Sequence, residues 1–222
     1  MSFFEQLQLE TKEDREALFS IPIIQNALSG EIDIDQYLAF LKEAYHHVKH
    51  TVPLLIACEN YTSNDYQWLK EGMAHYIQDE MGHEEWILND IKAAGGKPDE
   101  IRHSNPSMFT EFMVADAYYQ IHQSNPIGFL GMVFVLEGTS IAIATNAAEA
   151  MQKSLQLPNE AFTYLTSHGS LDLTHIEFFK SLVNQLTKEE DQKVVIQCAK
   201  KFYFLYGSIF RNLPIQRGVY LR

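Results

Sequence analysis

Two imidazoles and a carboxylate, His168, Asp172 and His175, stand at i, i+4 and i+7 in the stretch HGSLDLTH at 168–175. On an α-helix turning about 100° per residue, Asp172 falls about 40° to one side of His168 and His175 about 20° to the other, so all three project from one stripe. Imidazole nitrogen and carboxylate oxygen together suit borderline divalent metals, and two His plus one carboxylate with open positions suit O2-using ferrous iron. Taken alone, the triplet fits a polar, solvated helix face equally well.

Two further places offer partners for it. Glu80-Met-Gly-His83 puts a carboxylate and an imidazole about 60° apart on one helix, the step that carboxylate-bridged di-iron and di-manganese bundles use repeatedly. The pattern is weak by itself: Glu43-Ala-Tyr-His46 has the same spacing, and Asp79, Glu84 and Glu85 crowd around Glu80, as on an exposed acidic face. Glu137 is more telling, because the run GFLGMVFVLEGTSIAIA around it is apolar or small on every side. A carboxylate desolvated there needs a hydrogen bond, an ion pair or a metal. With Glu80, His83, His168, Asp172 and His175 elsewhere in the chain, a metal is the economical partner. Six such donors suit two ions with room for O2 and a substrate. A single catalytic zinc needs only three protein ligands.

The elements that must position these donors read almost entirely as helix. Thr11 is a candidate cap for Lys12 to Phe19, Pro22 opens a piece ending near Gly30, and Asp33-x-x-Gln36 is a capping box for a long helix reaching Cys58, with a kink at Pro53. Ser63 or Asn64 caps the next helix, whose apolar residues from Trp68 to Ile87 keep a 3.6 period until Gly95-Gly96. Asn105-Pro106 and Asn125-Pro126 each pair an N-cap with Pro, opening helices of about 18 and about 27 residues. Pro158 opens another, continued by 170–186 with a bend at Gly169, and Thr187-x-x-Glu190 is a capping box for a last helix ending near Pro214. No period-2 alternation marks a strand. Short connections and inward acids and histidines predict an all-α, antiparallel helical bundle, one domain over 1–222. The apolar inner faces around Phe129, Met132, Val133, Phe134 and Phe178 would line its pocket.

Bulk properties narrow the classes. A net charge of -12 from 17 basic and 29 acidic residues, with no Lys/Arg run, argues against nucleic acid. Cys58 and Cys198 are two isolated cysteines without CxxC, which indicates neither a disulfide framework nor a zinc knuckle and fits a reducing cytoplasm. The N-terminus lacks the basic and apolar regions of a secretory signal. Ile127 to Ala147 is long enough for a membrane span, but Glu137 stands at its centre, so it reads as the core helix of a soluble protein without a membrane.

The order of donors, Glu/His on one helix, a lone Glu in an apolar helix, then His-x3-Asp-x2-His on a third, resembles the heme-oxygenase-like di-iron oxidases. Members of that family decarboxylate fatty acids, cleave amino acids, oxygenate nitrogen or form 4-aminobenzoate, within a superfamily that includes heme oxygenase, the TenA thiaminases and PqqC. The likeness runs from Tyr37-Leu-Ala-Phe-Leu-Lys-Glu-Ala-Tyr-His-His-Val to the last helix. It implies a heme oxygenase-like (TenA/PqqC-like) bundle holding two Fe ions, with Mn or a mixed Fe/Mn pair as the alternative. Glu80 and His83 would hold one ion, Glu137 would bridge or bind the second, and His168, Asp172 and His175 would serve from the opposite side. The sequence departs from the family at the first Glu: some members carry it two turns before the His, where Tyr76 stands here, and Glu43 or His47 on the preceding helix could contribute instead. The implied activity is O2-dependent oxidation or oxygenation of a small organic acid or amine, with Tyr45 and Tyr76 as phenols near the metals and a homodimer as a candidate assembly. Two rivals keep the fold: TenA-like chemistry on a thiamin-related substrate, and a non-catalytic ligand-binding protein. TenA-like enzymes use a cysteine, and Cys58 and Cys198 sit in apolar helices; heme needs a proximal His early in the chain, and none precedes His46.

Overall fold

A computed structural model of the chain describes residues 1–214, with the side chains of residues 170–174 outside the described set. The described elements are helical, with no strand among them: α1 (Phe3–Glu10), α2 (Lys12–Phe19), α3 (Pro22–Ser29), α4 (Ile34–Val48), α5 (Thr51–Tyr61), α6 (Gln67–Glu80), α7 (His83–Ala93), α8 (Pro98–Arg102), α9 (Met108–Gln123), α10 (Phe129–Leu155), α11 (Thr163–Val183) and α12 (Glu189–Arg211). α10 is the central rod and packs chiefly on α11, α12 and α3. One apolar core gathers α10 and α12 with α5, α6 and α9, and a second lies between α4, α7 and the distal half of α10.

Local signals explain many of these bounds. The Asp33/Gln36 capping box forms in both directions, and Gly30 closes α3 in the left-handed region at φ 73°. The expected kink at Pro53 is instead a break: α4 ends at Val48, and Pro53 falls in the first turn of α5, where its missing N–H removes no helical bond. α9 opens at Ser107, whose hydroxyl accepts from Thr110 N–H, and not at Asn105. α12 starts from Lys188, so Thr187 and Glu190 do not form the expected box. α11 runs unbroken through Gly169.

The break that matters for chemistry lies at Met81–Gly82. The sequence reads one helix from about residue 64 to Gly95, but Gly82 adopts φ 88°, so α6 ends at Glu80 and α7 begins at His83. Glu80 and His83 therefore approach across a tight turn and not along one helical face.

Close approach of α10 to α12 depends on Gly131, where an added Cβ would meet Ala199 N at 2.5 Å and Val195 O at 2.6 Å. Backbone cannot swing aside as a side chain can. Gly131→Ala is expected to cost about 3 kcal/mol by overpacking, lowering the melting temperature by roughly 10 °C for a chain of this size; thermal unfolding followed by circular dichroism reads it directly.

Candidate metal centre

Donors from α6, α7 and α11 converge at the interior. Glu80, His83 and His168 each bring one ligand atom within 4.8 Å of the others. His83 Nδ1 lies 2.9 Å from Glu80 Oε2, and since a carboxylate only accepts, the ring donates there. The second oxygen, Glu80 Oε1, faces His175 Nδ1 at 3.9 Å, and Glu137 Oε1 from α10 faces the same nitrogen at 3.8 Å. Glu80 thus stands between a Glu80/His83/His168 group and a Glu137/His175 group.

Burial makes this cluster electrostatically tight. His83 is 3% exposed, His175 7% and Glu137 8%. Burial opposes ionisation of Glu80, but the His83 hydrogen bond and the fields of His83, His168 and His175 outweigh it and hold the carboxyl below its ordinary value. An anionic carboxylate among imidazoles at such spacing fits a divalent cation, and mixed carboxylate and imidazole donors fit iron or manganese. His168 Nδ1 donates to Tyr164 O at 2.9 Å, which points its Nε2 lone pair away from its own helix backbone.

Other expected residues separate into those that reach the site and those that do not. Tyr76 does: its hydroxyl donates to Glu137 Oε2 at 3.4 Å and its ring lies 5.7 Å from His175. His47 lines the same chamber, with Nδ1 bonded to Glu43 O at 3.0 Å. Glu43 goes elsewhere, accepting from Ser107 N–H at 3.0 Å and the Thr110 hydroxyl at 2.5 Å, so it caps α9. Tyr45 also turns away, against His46 and under Lys49, because it sits two residues and about 200° round α4 from His47. Asp172 lies outside the described side chains. Among the expected pocket residues, Phe129, Met132 and Val133 line the chamber; Phe134 packs in the core between Phe4 and Phe179, and Phe178 rests on Tyr76.

Two further neighbours join the cluster. Trp86, which carries no sequence signal, stacks on His83 with ring centroids 4.0 Å apart, and Asp79, which the sequence groups with an exposed acidic face, places Oδ2 3.5 Å from His175 Nε2. The chamber is bounded by Glu80, Glu137, Tyr76, His47 and His168 with apolar walls. Ser140, Tyr164, His168 and Tyr206 separate it from an apolar cavity between α3, α4 and α10. Cys58 and Cys198 are buried, and burial pushes each thiol up to about 12, so neither resembles an activated cysteine.

The interior histidines predict an acid-sensitive fold. Burial pulls His46 and His47 down to about 4, with Lys49 adding to the effect at His46. Unfolded imidazoles titrate near pH 6.5, so between there and pH 4 the unfolded chain binds protons that the folded chain refuses. Stability is full above about pH 6.5 and falls as the pH drops, by up to about 2.7 kcal/mol per unit for two such groups. Urea midpoints of metal-free protein at pH 7.5, 6 and 5 should decline in that order.

Solved structures show the fold to be heme oxygenase-like. A domain with that fold from Shewanella denitrificans superposes with a TM-score of 0.87 at 21% identity, covering 95% of this chain and 91% of the other. A TenA homolog from Pseudomonas syringae pv. tomato gives 0.79 at 10% identity, covering 95% and 91%. The chain itself belongs to the iron-containing redox enzyme family, whose profile matches residues 38–207. It is also 23% identical over 215 residues to a 4-aminobenzoate synthase of Chlamydia trachomatis, covering 94% of this chain and 91% of the relative.

Proposed function

We propose that this chain is an O2-dependent, non-heme di-iron oxidase or oxygenase acting on a small organic acid or amine. The observation that carries the reading is the convergence of Glu80, His83 and His168, with Glu137 and His175 beside them, at the wall of a largely apolar chamber. Glu80, His83 and His168 would hold one ion; Glu137 and His175 would hold the second, with Glu80 shared. Bound iron supplies the reduction of O2.

The protein's own residues set what can react. Among the described residues lining the chamber there is no Lys or Arg, and its acids are Glu80 and Glu137. An amine would therefore meet carboxylates, while an organic acid would have to place its own carboxylate at the cation. Phe129, Met132 and Leu136 keep the walls apolar and exclude water, and the Tyr76 hydroxyl, donating to Glu137, keeps that carboxylate oriented. The adjoining apolar cavity behind Tyr164 and Tyr206 could receive a hydrocarbon or aryl body. The 4-aminobenzoate synthase likeness supports the redox class without fixing a substrate at 23% identity.

Oxygen-electrode traces of Fe(II)-loaded protein with panels of fatty acids, amino acids and aromatic amines test the reading. Substrate-dependent O2 uptake that vanishes without iron is expected. Turnover of a thiamin-like compound without O2 uptake would replace it with TenA-like chemistry, and tight ligand binding with no turnover would make the chain a binding protein.

A further inference from the structure

We propose that Asp90 is a positioning residue for the metal centre: one buried carboxylate on the His83 helix that holds the first turn of the His168 helix and, through it, the tautomer and direction of the His168 imidazole. Asp90 is fully buried, 0% exposed. It lies seven residues after His83 on α7, two turns along and about 20° round the same face. Its Oδ1 accepts the Thr163 N–H at 3.1 Å and also the Thr163 hydroxyl, and its Oδ2 accepts the Tyr164 N–H at 2.8 Å. Those are the first two residues of α11, and Phe162 at the N-cap makes no side-chain cap. The start of α11 is therefore capped from another helix, 73 and 74 residues away in the chain.

From that cap the geometry runs straight to the metal ligands. Tyr164 N–H is held by Asp90, and Tyr164 C=O takes the His168 Nδ1 proton at 2.9 Å. A carbonyl only accepts, so the bond fixes the Nδ1–H tautomer and leaves Nε2 as the lone-pair nitrogen. The Tyr164 ring lies on the His168 ring at 4.6 Å between centroids, and the His168 and His83 rings meet at 4.8 Å. Any slip of α11 along α7 would move His168 relative to His83, and Asp90 is the group that opposes the slip. Tyr37 of α4 adds a second pin by donating to Ala161 O at 2.6 Å, immediately before the helix begins. Burial pushes the Asp90 carboxyl above its ordinary value against the pull of its donors, so keeping an acid here is costly. Fixing the register of two ligand-bearing helices accounts for its presence.

The inference rests on the metal-centre reading, and two readouts keep the two apart. In metal-free protein, imidazole nitrogen shifts of labelled histidine should show His168 as the Nδ1–H tautomer in the wild type and as a mixture in Asp90→Asn, whose amide aims an N–H at the Tyr164 N–H. In Co(II) titrations, Asp90→Asn should bind about tenfold more weakly and Asp90→Leu up to about 100-fold, the range for losing a ligand's support. Asp191→Asn is the control: it loosens another buried carboxylate, in the first turn of α12, which takes the Tyr66 hydroxyl and Asn125 amide, and should leave Co(II) affinity unchanged. Should Asp90→Leu fail to fold, Asp90→Asn and Thr163→Val, expected to lose two- to threefold in affinity, decide the matter. Wild-type tautomer and affinity in folded Asp90→Asn would overturn the proposal, as would an equal loss in Asp191→Asn. A wild type that binds no metal at all would sink the metal-centre reading while the tautomer still tests Asp90.

Discussion

Replacing Glu80 with alanine leaves a folded helical chain that no longer retains iron. Glu80 is the carboxylate common to both donor groups, with Oε2 at 2.9 Å from His83 Nδ1 and Oε1 at 3.9 Å from His175 Nδ1. In the proposed centre its removal would take one ligand from each ion, so the loss should exceed the roughly 10- to 100-fold cost of disturbing a supporting partner alone. The fold should tolerate the change, because Glu80 ends α6, where a negative charge is disfavoured by the helix dipole. Anaerobic equilibrium dialysis against Fe(II), with circular dichroism on the same samples, measures both halves. Iron retention equal to wild type would remove Glu80 from the centre.

Glu137→Met should remove most of the metal's contribution to stability. In the metal-free chain it removes one side of two buried contacts: Tyr76 loses an acceptor at 3.4 Å and His175 an acidic neighbour at 3.8 Å, so metal-free stability should fall by about 1–3 kcal/mol. Wild-type protein should gain about 2.7 kcal/mol at a metal concentration 100 times the dissociation constant, and the variant should lose most of that gain. Paired thermal melts with and without Fe(II) under argon report both numbers. A destabilised metal-free variant that keeps its metal-induced shift would make Glu137 a structural acid.

Much of this arrangement was legible from local chemistry. Asp33 and Gln36 announce α4, Gly30 ends α3, and Glu137 stands out because a carboxylate inside an apolar 3.6-period run demands a partner. Ser2 and Glu5 form the same capping box and open α1, a helix the sequence reading passed over. What stayed hidden depends on partners distant in the chain. Glu43-x-x-His46 and Glu80-x-x-His83 look alike as strings, yet the first carboxylate meets the N-terminus of α9 while the second meets His175. Gly82 reads as a tolerated glycine in a helix, and only its left-handed backbone shows that Glu80 and His83 belong to two helices. Asp90 and Trp86 gave no signal, since their roles come from α11 lying across α7.

Crystals grown with Fe(II) under argon, with anomalous differences measured on both sides of the iron edge, test the central claim most directly. Two iron peaks are predicted, one bounded by Glu80, His83 and His168 and the other by Glu137 and His175, with Glu80 between them. A single peak, or iron seated away from these side chains, would contradict a di-iron centre.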